Sequence, residues 1–344
     1  MLAITTKTTV ITGYEGQVLD ESILASKQPV ILKGLVSRWN LVKQGQKSDD
    51  SAIRYLKSHY NGRPSVACIG SPDIRGRFFY DETCTQLNFQ TQQMKVDEVL
   101  DLIQAGFLED NPASYYIASN LIDTHFPNLR DENDLVIPRP ASDTALEDVR
   151  ISIWIGNGTT ACCHYDVSDN LACCVVGKRR FTLFPPDQIA NLYPGPLSPT
   201  PGGQALSMVD FANPDYTKYP NFAEAIKHGQ IAELEAGDAL YLPSMWWHQV
   251  EGLSRFNVLI NYWWSNSAKH MGPAVDVLYH AFLSLRDKPE HEKQAWKHVF
   301  DYYIFGDAKR AGAHLPDEAR GYLGEIDTTK SRMLRAMLLS KLNR

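Results

Sequence analysis

The order of apolar and polar residues divides the chain into three stretches of different character. In the first, Val30, Ile31 and Leu32 form a short β-branched core within Gln28 to Trp39 and are followed by Gly34, which predicts a strand running into a turn. Ile53, Leu56 and Tyr60 stand at helical spacing and predict a helix over Asp50 to Tyr60. Val96, Val99, Leu100 and Ile103 predict a second helix over Lys95 to Gly106, and Val66 to Ile69 and Phe78 to Tyr80 read as short strands. Residues 1–110 are therefore expected to be mixed α and β.

From Ser114 the pattern becomes a succession of strands: Tyr115 to Ala118, Arg150 to Ile155, Asn170 to Val176, Arg179 to Phe184, Ile231 to Glu235, Ala239 to Leu242 and Asn257 to Trp264. Turn signals separate them at Gly156-Asn157-Gly158, Gly177, Pro185-Pro186-Asp187 and Gly237-Asp238. Many short strands with Gly and Pro turns predict a mainly β sandwich or jelly roll over residues 111–265. The insert from Asn191 to Asn221, rich in Pro, Gly and Tyr, reads as an ordered loop at the barrel mouth. Beyond Trp264 the spacing is helical again over Pro273 to Leu285, Lys293 to Phe305 and Thr328 to Leu342. The apolar stripes of these helices, residues 266–344, need a partner, either the barrel wall or a second copy of the chain, and a homodimer is expected.

Composition changes this picture little. The chain is 44% hydrophobic and 22% charged, ordinary for a globular protein. A net charge of −6, with no basic run longer than Lys178-Arg179-Arg180, argues against a general nucleic-acid binder. No apolar run approaches the roughly 18 residues that span a bilayer, and the amino terminus lacks the apolar stretch of a secretory signal, so the chain is read as cytoplasmic. Six cysteines stand in no CxxC pattern and are read as small buried hydrophobes.

The candidate chemistry lies in Cys163-His164-Tyr165-Asp166 and, 84 residues on from His164, in Trp246-Trp247-His248. A two-residue step along extended backbone brings His164 and Asp166 to one face. Two imidazoles and a carboxylate on one side of an octahedron leave three positions open, the arrangement that non-haem Fe(II) oxygenases use. If Gly177 makes the turn before the next strand, Arg179, Phe181 and Leu183 share a face, and Arg179 becomes an inward cation; Lys178 takes that place if the register shifts by one.

His164-Tyr165-Asp166, Gly177 to Asp187, Gly237 to Pro243, Trp246-Trp247-His248 and Asn261-Tyr262-Trp263 together resemble the JmjC/cupin-8 family, and within it the protein asparaginyl hydroxylases. The resemblance covers roughly residues 110–265, with a weaker echo around Pro29 to Gly34. It implies a double-stranded β-helix that binds Fe(II) through His164, Asp166 and His248 and uses 2-oxoglutarate and O₂ to oxidise a substrate, releasing succinate and CO₂. It also implies cosubstrate contacts from Tyr116, Asn170, Asn261 and a basic residue, Arg179 here where the hydroxylases carry lysine. The family's threonine, three residues before the first histidine, is Ala161 in this chain, and Thr160 one residue earlier is the available hydroxyl. A protein or peptide side chain is the expected substrate, with a modified RNA base or a small molecule as the lesser alternative. A metal-binding or protein-interaction module without turnover is the reading from a different class. Hydroxylation is expected over demethylation, because the chain has no zinc-ligand clusters of the chromatin-reader kind.

Overall fold

The computed structural model describes residues 2–14, 19–138 and 148–343. The described strands are, in chain order, β1 (Thr9–Ile11), β2 (Val30–Leu32), β3 (Ser65–Gly70), β4 (Arg77–Phe78), β5 (Gln90–Met94), β6 (Ser114–Leu121) and β7 (Arg150–Gly156). They continue as β8 (Thr160–Tyr165), β9 (Asp169–Val176), β10 (Lys178–Phe184), β11 (Gln230–Glu235), β12 (Ala239–Leu242), β13 (Trp247–Gly252) and β14 (Asn257–Trp264). They form two sheets. The larger runs β1-β2-β12-β9-β14-β7-β6-β3-β5 and the smaller β11-β10-β13-β8-β4. Neighbours pair antiparallel except β1 with β2 and β4 with β8. This is the mainly β, two-sheet core that the strand succession predicts.

Alternation along the strands builds the layers. On β9, Ala172 and Cys174 join Phe181, Leu183, Leu234, Leu240 and Leu259 in the core between the sheets. Cys173 and Val175, one residue out of phase, face the opposite way into a core with Tyr241, Ile260 and Tyr262. The helices predicted from the sequence close that second core. Helix 49–59 begins where Ser48 Oγ accepts from Ser51 N–H at 3.0 Å and buries Ala52, Ile53 and Leu56; helix 96–105 buries Val96, Val99, Leu100 and Ile103. A helix at Asn40–Lys47, the three-residue strand β1 and the polar strand β5 were not signalled by periodicity.

The turn at Gly177 sets the phase of β10. Its φ is +79°, and a Cβ there would come within 2.6 Å of both Asn257 Oδ1 and the Phe256 carbonyl, so only glycine fits. β10 then pairs with β13 so that Arg179 stands opposite Gly252, Phe181 opposite Val250 and Leu183 opposite His248.

The described residues up to Ser265 form one compact unit, in which the amino-terminal stretch and the later strands share the larger sheet. Residues from Asn266 onward form a second. It contains helices Ala274–Ser284, Glu290–Phe300 and Thr328–Leu342, with Ser331 Oγ donating to the His270 carbonyl at 2.8 Å. Many of its apolar side chains are exposed, Leu283 and Phe305 among them.

Candidate metal centre

His164 sits near the end of β8, Asp166 just past that end, and His248 on β13. His248 pairs directly with His164, but the next matched pair is Val250 with Ala161. Gln249 on one strand thus stands opposite both Cys162 and Cys163 on the other, which is a β-bulge in β8. The extra residue turns the strand by one position, so Ala161 and His164, three apart, both face the interior. This also decides Thr160. It falls outside the cavity lining, where Ala161 stands instead.

The donor atoms of His164, Asp166 and His248 all lie within 4.8 Å of one another, the one such group of His, Cys, Asp or Glu among the described residues. Asp166 Oδ2 is 3.5 Å from His248 Nε2, and Oδ1 is 3.9 Å from His164 Nε2. Each ring is held from behind: His164 Nδ1 donates to the Cys162 carbonyl at 2.8 Å and His248 Nδ1 to the Trp246 carbonyl at 2.9 Å. With Nδ1 committed as a donor, Nε2 is the nitrogen left to offer a lone pair. Burial, and then the neighbouring His248, hold His164 below its ordinary value, so the ring is neutral near pH 7. Burial alone would raise Asp166, yet the close approach of His248, with His164 beside it, brings it below the usual carboxylate range. Two imidazoles and one carboxylate, partly desolvated and aimed at one point, fit a ferrous ion.

The same cavity, about 50 Å³, is lined by Tyr116, Trp154, Asn170, Arg179, Asn261 and Trp263 in addition to the three donors. Arg179 is buried, and its Nε has no hydrogen-bond partner; nor has Trp263 Nε1. A buried guanidinium without a carboxylate is costly, and it suits a site made for an anionic ligand. Lys178, the alternative cation, is exposed and bonded to Glu235 at 2.8 Å on the outer face. Tyr116 lies beside Arg179. Burial, partly offset by Arg179, pushes its hydroxyl up to about 12, so it stays protonated and can donate. Trp154 Nε1 donates to Asn261 Oδ1 at 2.7 Å, and Asn261 Nδ2 donates to Asn170 Oδ1 at 3.3 Å, a directed chain that orients both amides. Larger grooves exist, about 320 Å³ on the outer face of the smaller sheet and about 670 Å³ near Arg75 and Arg255, and neither contains the donor group.

A profile of the cupin-like domain family matches residues 16–270. The chain belongs to the cupin-like, JmjC-containing family. This cupin-like chain is 33% identical over 292 residues to HSPB1-associated protein 1 of Rattus norvegicus, a match that covers 79% of this chain and 57% of the relative. It is 31% identical over 242 residues to JmjC domain-containing protein D of Dictyostelium discoideum, covering 66% and 49%. To lysine-specific demethylase 8 of Danio rerio it is 28% identical over 248 residues, covering 70% and 54%. The chain thus spans about half the length of these relatives. The X-ray structure of E. coli ycfD aligns over 95% of this chain and 68% of its own, at 14% identity and a TM-score of 0.41, too loose a likeness to carry an argument.

Sequence reasoning passed over two members of this cupin-like cavity, Trp154 and Trp263. Both were within reach: Trp154 stands two residues before Gly156 on Tyr116's face, and Trp263 two residues beyond Asn261.

Proposed function

We propose that this cupin-like chain is an Fe(II)- and 2-oxoglutarate-dependent dioxygenase that hydroxylates a protein side chain. One observation carries the reading: His164, Asp166 and His248 converge on the cavity that also holds the buried, unpaired Nε of Arg179. A ferrous ion bound by those donors would supply oxygen activation, and 2-oxoglutarate would supply two electrons on decarboxylation to succinate and CO₂. The chain's own residues do the rest. Arg179 would clamp the distal carboxylate of the cosubstrate, with the Tyr116 hydroxyl donating beside it. Asn170 and Asn261, oriented through Trp154, would present amide groups to the metal-proximal end. The inter-sheet core of Phe181, Leu183 and Leu259 keeps water from behind the site.

The Danio rerio relative carries the name lysine-specific demethylase 8, which supports N-methyl oxidation as the second reading. Oxidation of an N-methyl group starts with the same C–H hydroxylation and ends in loss of the carbon as formaldehyde, so both outcomes suit one site. The exposed apolar stripes of the second unit support a homodimer.

The test is succinate production from 2-oxoglutarate with added Fe(II), in wild type and in Asp166→Ala. Succinate from wild type, absent in the variant, is the expected result. Wild type that binds metal and yields no succinate, even without substrate, would leave a binding module. Mass spectrometry of candidate peptides then separates the two readings: a gain of one oxygen against the loss of a methyl.

A further inference from the structure

The turn between β12 and β13 holds a methionine in the left-handed region: Met245 has a φ of +67°. A residue with a Cβ occupies that region at a cost glycine avoids, and it persists only where its surroundings over-determine it. Packing of the side chain is not the determinant, since Met245 is 41% exposed. The constraint is in the backbone. Met245 N–H donates to the Asp166 carbonyl at 2.7 Å. One residue earlier, Ser244 N–H donates to Asp169 Oδ1 at 2.9 Å; one residue later, the Trp246 carbonyl accepts from His248 Nδ1 at 2.9 Å. The Trp246 indole is itself anchored on the Lys27 carbonyl at 3.2 Å. Three consecutive residues therefore grip both the loop that carries one donor and the ring that carries another.

We propose that this turn fixes the separation of Asp166 and His248, with Met245 as its positioning residue; the proposal rests on the metal reading above. Met245 itself touches no reacting atom. Rotating residue 245 out of the left-handed region would swing its N–H and the next carbonyl relative to each other, and with them the 3.5 Å spacing of His248 Nε2 and Asp166 Oδ2.

The experiment titrates metal-free, full-length protein with Co(II), followed by its visible absorption, alongside thermal melting without metal. Met245→Val introduces a β-branch that the left-handed region excludes, and Met245→Gly enters that region freely. Met245→Val is expected to weaken Co(II) binding on the order of 10–100-fold and to alter the absorption band, as loss of an orienting partner does. Met245→Gly is expected to bind as wild type does. Should the valine variant match wild type in affinity and spectrum, or the glycine variant lose as much as the valine, the proposal is overturned. Where Met245→Val does not fold, Asp169→Ala, which removes the acceptor that anchors Ser244 N–H, replaces it, and binding equal to wild type is the overturning result. A wild type that takes up no Co(II) overturns the metal reading, and this proposal with it; a binding wild type matched by the valine variant overturns the turn's role alone.

Discussion

Arg179 is the residue whose role is most sharply constrained. Its guanidinium is buried with Nε unpaired, so removal of the charge should be felt by the ligand and little by the fold. For Arg179→Leu, 2-oxoglutarate binding to the metal-loaded protein is expected to fall by about 2–5 kcal/mol, the usual cost of truncating one side of a buried charge pair. That is roughly thirty-fold or more by calorimetric titration, and unchanged affinity would remove Arg179 from the site. His164 links the site to pH. Its folded value lies below 6.5, so as pH falls through that value the unfolded chain takes up a proton that the folded chain resists. Stability present above about 6.5 is then lost as pH falls, and Asp166, also lowered, adds a further loss at more acid pH. In the presence of chelator the melting temperature should drop from pH 7 to 5, and drop less in His164→Asn; a rise over that interval contradicts the assignment. His164, Asp166 and His248 were legible as a candidate group because their spacing and flanks are distinctive, and Arg179 because alternation from Gly177 places it on the cavity lining. Thr160 could not be placed from the sequence. Its exclusion follows from one extra residue in β8, and nothing in Thr160-Ala161-Cys162-Cys163 announces a bulge.

At the scale of elements, the Gly177 turn carries the most weight, since it decides which face of β10 looks inward. Gly177→Ala must relieve two approaches of 2.6 Å and accept a φ of +79°. A loss of about 1–3 kcal/mol in chemical denaturation is expected, the range for a strained backbone residue, and a loss under half of that would mean the turn yields easily. Helices 49–59 and 96–105 were readable from their apolar stripes because each buries one face in the larger core. The strand β5, Gln90 to Met94, was not, because a mostly exposed edge strand of Gln and Thr offers no alternation to detect. Adjacent cysteines show alternation at its plainest. On β9 Cys173 faces the helices and Cys174 the inter-sheet core, whereas in the β8 bulge neither Cys162, which packs with Tyr80, nor Cys163, which packs with Trp247, joins that core.

For the whole molecule, the second unit makes the clearest forecast. Its exposed apolar residues, Leu278, Trp296, Tyr303 and Leu338 among them, exceed what an isolated helical unit needs to show to solvent. Light scattering is expected to give twice the chain mass of 38.7 kDa, and Trp296→Glu with Leu338→Glu is expected to return it to one; a wild-type monomer at micromolar concentration would dismiss the dimer. The β core was legible from its turn signals, whereas the joining of early and late strands was not, because pairing partners far apart in sequence leave no local trace. That joining has a practical outcome. β2 lies against β12 and β3 against β6, so a fragment starting at residue 111 would lay bare both margins of the larger sheet at once. Trimmed in that way, the remainder should come out of cells as insoluble aggregate, however intact His164, Asp166 and His248.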